Sequence, residues 1–143
     1  MLDEIRAFDA AFPYFLMSTG IAGGLLIVAA TAYIRLTPWK ELALVREGNA
    51  AAGVALGGAI AGLGIPIAST LASSVSIAEL AIWGATALLM QLITYRVVDC
   101  LLRDIPGRLA RDEMGAAAVL TSAKLSTALI LAAGLSDPVL QRI

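Results

Sequence analysis

The chain has 143 residues, 59% of them hydrophobic and only 15% charged, with a formal net charge of -1. Soluble domains sit at about 45–50% apolar, so this balance describes a membrane-embedded chain of one domain. It excludes a disordered polar chain, a disulfide scaffold (there is one cysteine) and a basic nucleic-acid binder. The absence of histidine also removes the commonest general base and the commonest metal ligand.

A bilayer core about 30 Å thick needs roughly 20 apolar residues per helical crossing, and the gaps between charges supply them. Asp9 to Arg35 encloses 25 uncharged residues, Glu47 to Glu79 encloses 31, and Glu79 to Arg96 encloses 16. Glu113 to Asp137 encloses 23 and is interrupted once, by Lys124. The Ala-, Leu- and Gly-rich segments lack the alternation of membrane strands. The expected fold is therefore all-α and integral to the membrane, with four transmembrane helices over about 13–36, 49–73, 77–105 and 114–135. The third gap is short, at about 24 Å of helix, so Arg96 snorkels. The helix continues to Ile105, where Pro106-Gly107 stops it, and Asp99 and Arg103 pair at i, i+4.

Thr37-Pro38 reads as an N-cap and first helical residue of a short amphipathic surface helix, about 38–47, whose Trp39, Leu42 and Val45 follow helical spacing. Ser76 with Glu79 is a capping box, and Asp137-Pro138 ends the last helix. Lys and Arg are distributed unevenly between the connections. Arg35, Lys40, Arg46, Arg96, Arg103, Arg108 and Arg111 lie on one side, with Arg6 and Arg142 on the other. The positive-inside rule puts the long loops in the cytoplasm and both termini in the periplasm. Phe8, Phe12, Tyr14, Phe15 and Trp83 fall at one interface and Tyr33, Trp39 and Tyr95 at the other, as an aromatic belt. Asp3, Glu4 and Asp9 do not suit a cleavable signal.

The second crossing carries two ridges of small residues. One is Asn49, Gly53, Gly57 and Ala61; the other is Ala50, Val54, Gly58, Gly62 and Pro66. Such ridges let helices approach closely in lipid, so this helix belongs at the bundle centre or at a subunit contact. Gly20 and Gly24 give the first helix a shorter version. Residues 46–55 align without gaps to residues 111–120. With the shared helix–loop–helix order, this reads as a parallel internal repeat of 13–73 and 77–135.

The segments Leu36-Thr37-Pro38-Trp39-Lys40-Glu41-Leu42, Val45-Arg46-Glu47-Gly48-Asn49-Ala50-Ala51-Ala52, Leu56-Gly57-Gly58 and Gly64-Ile65-Pro66-Ile67-Ala68-Ser69 resemble the bacterial domain-of-unknown-function family numbered 350. The resemblance is densest over 32–70 and weaker over Ala85 to Leu92. It implies a small four-helix inner-membrane protein whose motif unit is doubled. It implies no reaction, and Lys124 is not carried over from it.

Two sets of candidate site residues follow. Lys124 lies mid-helix, where a charge is costly and marks function by default. Thr121 and Thr127 extend its polar stripe, and Gln91 lies at similar depth, so Lys124 is expected to turn toward Gln91 or a polar cavity. The bland alternative is a lysine that merely finds backbone carbonyls. The second set is the motif Thr37, Pro38, Glu41, Arg46, Glu47, Gly48 and Asn49. Either its helix N-terminus binds an ion or headgroup, or Asn49 or Gly48 simply caps the helix and Glu47 complements its dipole. Ser69, Thr70 and Gln91 are expected to bond between helices, and Cys100 to be inert.

No metal cluster, nucleophile elbow or phosphate loop is present in the sequence, so neither an enzyme nor a cofactor is expected. Beyond the lipid bilayer, the expected partners are further copies or another membrane protein. Two functions stay open. One is an oligomeric structural or accessory component assembling through the Gly-rich second helix. The other is a subunit of a small ion or solute channel or transporter, with its polar site at Lys124 and Gln91.

Overall fold

The computed structural model describes residues 1–38, 40–73 and 76–137. Trp39, Pro138 and Arg142, invoked above, lie outside them. Within the described residues the chain is all-helical: α1 (Leu2–Leu36), α2 (Glu41–Arg46), α3 (Ala50–Ala72), α4 (Ile77–Leu102), α5 (Ile105–Ala110) and α6 (Met114–Leu135). Four of these, α1, α3, α4 and α6, are long and apolar enough to cross a membrane. The short helices α2 and α5 sit together at one end of the bundle, called the short-helix end below.

The element ends depart from the sequence reading in three places. α1 starts at Leu2 rather than 13, because charges before Asp9 end a membrane crossing but not a helix. α4 stops at Leu102 rather than Ile105. Pro106 does not stop that helix; it stands in the first turn of α5, behind an Asp104 N-cap whose carboxylate accepts from Gly107 N–H at 3.1 Å, where a missing proline N–H is harmless. Asp99 accordingly does not serve Arg103; its Oδ1 accepts from Ile105 N–H at 2.8 Å. Thr37 is not the N-cap of α2. It closes α1, donating from its hydroxyl to the Tyr33 carbonyl at 3.0 Å, and Lys40 precedes α2.

α3 is the central helix and packs on α6, α4 and α1. Its glycines explain how. A Cβ at Gly58 would stand 2.8 Å from Thr121 Cγ2, and one at Gly62 would stand 2.7 Å from Gln91 Nε2. α4 answers with Gly84, where a Cβ would stand 2.8 Å from Leu25. Backbones approach in lipid only where side chains give way, and alanines complete the contact: Ala51, Ala52 and Ala55 meet Ala116, Ala117 and Leu120. Gly53 and Gly57, expected on a packing ridge, have nothing within 4 Å, and the same holds for Gly20 and Gly24 of α1. A side chain at any of these four positions would meet open space among the described residues.

The two short-helix connections are built alike. After α2, Glu47 N–H donates to Ala43, Gly48 to Val45 and Asn49 to Leu44; after α5, Arg111 donates to Gly107, Asp112 to Leu109 and Glu113 to Arg108. The left-handed residue of the first is Gly48 (φ 88°) and that of the second is Asp112 (φ 60°). These turns correspond at a spacing of 64 residues, one less than the gapless alignment that pairs Arg46 with Arg111.

Candidate functional site

Side chains on a helix lean toward its N-terminus. α6 starts at the short-helix end, so Lys124 reaches down toward that end; α1 ends there, so Tyr33 leans up into the bundle. The two meet. Lys124 Nζ donates to the Tyr33 hydroxyl oxygen and lies 4.4 Å from the ring centroid, a cation–π geometry as well. Both side chains are fully buried. α1 and α6 each pack chiefly on α3 and α4, so this lysine ties together two helices on different sides of the core.

Gln91 does not meet the Lys124 ammonium. It takes a different task, set by Pro66. A proline has no N–H, so the carbonyl four residues earlier, on Gly62, loses its helical donor. Gln91 Nε2 donates to Gly62 O at 3.2 Å and to the Lys124 backbone carbonyl at 3.1 Å. Position 62 is glycine because a Cβ there would fill the space of the Gln91 amide, while the carbonyl in need of a donor is owed to Pro66. Thr121 donates to Val54 O at 3.0 Å, and Thr127 pairs with Thr94 at 3.0 Å. Each polar residue of the α6 stripe thus has its own partner on another helix. Ser69 likewise donates to Ala132 O at 3.1 Å on α6, whereas Thr70 returns to Pro66 O within α3.

The motif before α3 separates into two jobs. Asn49 is the N-cap of α3: its Oδ1 accepts from Ala52 N–H at 2.7 Å, and its Nδ2 donates to Leu109 O of α5 at 2.8 Å. Asp112 Oδ1 accepts from Ala51 N–H at 2.7 Å. Two of the donors at this N-terminus that could have held an anion are thus taken by side chains of the same protein. Arg46, Glu47 and Gly48 are exposed. Across the bundle end, Arg108 Nε donates to Glu113 at 2.6 Å and its Nη1 to the Leu102 carbonyl at 3.1 Å. Arg108 and then Arg111 hold the half-buried Glu113 carboxyl below its ordinary range.

Glu41 behaves otherwise. It opens α2, yet it is fully buried and turned into the bundle. Among the described residues neither carboxylate oxygen has a hydrogen-bond partner, and the buried Tyr95 hydroxyl has none either. The Tyr33 hydroxyl approaches the carboxylate without closing a bond of ordinary length and angle. Burial pushes the Glu41 carboxyl up to about 7, while the Lys124 ammonium and the Tyr33 hydroxyl pull it down. The structure therefore draws Glu41 from the loop motif and Lys124 from the membrane stripe into one cluster around Tyr33. Sequence reasoning had placed Tyr33 only in an aromatic belt. The signal it missed was simple: a buried ammonium calls for a nearby acid, and Glu41 is carried by the short helix that directly follows α1.

Four crossing helices around a buried polar cluster define a multi-pass membrane protein. The chain matches the family described as Domain of Unknown Function (DUF350) over residues 7–135 and belongs to it. It is 35% identical over 95 residues to the UPF0719 inner membrane protein YjfL of Escherichia coli (strain K12), and equally to that of Escherichia coli O157:H7, covering 66% of this chain and 67% of each relative. No solved structure matches. With its four apolar helices and these inner-membrane relatives, the chain is a multi-pass inner-membrane protein.

Proposed function

We propose that this protein is a structural or accessory component of the inner membrane that assembles with further copies of itself through the open face of α3, with α2 and α5 on the cytoplasmic side. The observation that carries this reading is the division of labour along α3. Gly58 and Gly62 are filled by α6 and α4, while Gly53 and Gly57 face outward with nothing within 4 Å, beside the exposed Val54 and Ile60. In lipid, such a face gains more from another helix than from acyl chains. The enclosure of Lys124 supports the same reading over a water-lined path through one chain, since its charge is satisfied by Tyr33 and fully buried. The two halves then act as duplicated units that mirror each other's connections, and no catalytic step is assigned.

The test is the mass of the complex extracted in mild detergent. Wild type is expected as a defined homo-oligomer, and Gly57→Leu as a smaller species with unchanged helix content. A wild-type monomer in lipid nanodiscs overturns the reading, and a stoichiometric foreign protein turns the α3 face into the contact for that partner. Thiol labelling of Thr121→Cys and Thr127→Cys from water would instead support the channel or transporter alternative.

A further inference from the structure

Glu41 is the loose end of the cluster. A buried carboxylate is stable only when something satisfies it, and here, among the described residues, neither oxygen closes a hydrogen bond, the Tyr33 hydroxyl standing nearest. The nearest cation, the Lys124 ammonium, is held by the Tyr33 oxygen and ring and makes no ion pair with Glu41 among the described residues. Among the described residues no other cation acts on Glu41; Arg108 of α5 is engaged by Glu113 and the Leu102 carbonyl. α1 presents Tyr33 and α4 presents Tyr95. α3 contains no titratable residue from Ala50 to Ala72. On α2 itself Arg46 is exposed at the far end, and Lys40, just before α2, is exposed to solvent. Water thus reaches the residue next to Glu41.

We propose that the Glu41 site binds a proton delivered from the short-helix end, and that α2 seats against the bundle with that proton bound. The step is a simple transfer. Hydronium gives up a proton and leaves as water, an O–H bond forms on one Glu41 carboxylate oxygen, and Lys124 keeps all its protons. The carboxyl then becomes a donor beside the Tyr33 hydroxyl oxygen, in place of a buried anion. Losing the proton restores a buried unpartnered charge, which α2 relieves by moving outward. The inference goes beyond assembly and does not depend on it.

Infrared titration of the full-length protein in nanodiscs tests it, reading the carbonyl stretch of a protonated carboxylic acid on either side of neutral pH. Wild type is expected to show a band that fades as pH rises through neutrality, and Glu41→Gln to lose it. Lys124→Gln, which removes a neighbouring positive charge, is expected to move the midpoint up by about one to three pH units, a shift that a purely structural lysine would not produce. Should Glu41→Gln fail to insert, Glu41→Asp carries the test, because the band must then move with the shorter acid. A wild-type band that neither Glu41 variant alters overturns the proposal. So does a Glu41 that titrates only in the ordinary acidic range, or a site that responds to sodium or potassium at fixed pH in place of protons.

Discussion

At the scale of single residues, the bundle is specified by a few pairs that each answer a defect in the other. Pro66 strips a donor from Gly62, and Gln91 replaces it. Gln91→Leu leaves that carbonyl bare and is expected to cost about 1–2 kcal/mol in a reversible unfolding assay in detergent. Gly62→Ala forces a Cβ into the Gln91 amide and is expected to cost about 1–3 kcal/mol. Gly57→Ala would place its Cβ in open space and is expected to leave monomer stability unchanged or raise it by up to about 1 kcal/mol. Glu41 ties stability to pH. Its carboxyl is raised from 4.5 to about 7 in the fold, so the folded state binds its proton more tightly than the unfolded chain does. Its contribution is complete below the unfolded value and is lost as pH rises to about 7. The loss is on the order of 3 kcal/mol. Unfolding midpoints measured across this window are expected to fall with pH in wild type and to stay flatter in Glu41→Gln. Little of this chemistry was legible in advance: Lys124 announces itself by standing alone in an apolar run, but Glu41 looks like any polar residue of a surface helix.

At the scale of elements, the gaps between charges located all four crossings, because burying charge in lipid is the largest local penalty a membrane chain faces. They could not locate the first residues of α1 or all of α5, because neither is governed by that penalty. α5 hides behind Pro106, which in sequence marks the end of one helix and the start of another equally well. The left-handed turns before α3 and α6 show how position outweighs residue type. Gly48 adopts its conformation freely, while Asp112 is strained at φ 60° and is retained there because its carboxylate caps α3. Asp112→Ala loses the cap and keeps the strain, and is expected to cost about 2 kcal/mol. Asp112→Gly loses the cap but relieves the backbone, and is expected to cost about 1 kcal/mol or less. Thermal unfolding of the two variants side by side separates the contributions.

For the whole molecule, the clustering of Lys and Arg around α2 and α5 sets the expected orientation. In a Cys100→Ser background, Asp104→Cys is expected to react with an impermeant maleimide in inverted vesicles and not in right-side-out ones. The turns before α3 and α6 share one hydrogen-bond pattern at a spacing of 64 residues, one residue away from the alignment of 46–55 with 111–120 on which the repeat is expected. α1 adds a property of a different kind. Its 35 residues give a rod about 52 Å long, and its first 17 residues are exposed. Ile5, Phe8, Phe12 and Phe15 continue the 3-4 spacing of Ala22, Ala29 and Tyr33, which do pack. A rod that overshoots a hydrocarbon layer of about 30 Å must tilt or lay its surplus along the headgroups. The other three crossings, at 22–26 residues, carry little surplus, so α1 is the helix expected to change its tilt with the thickness of the lipid around it, read as the depth of a label at Phe12→Cys in bilayers of different chain length.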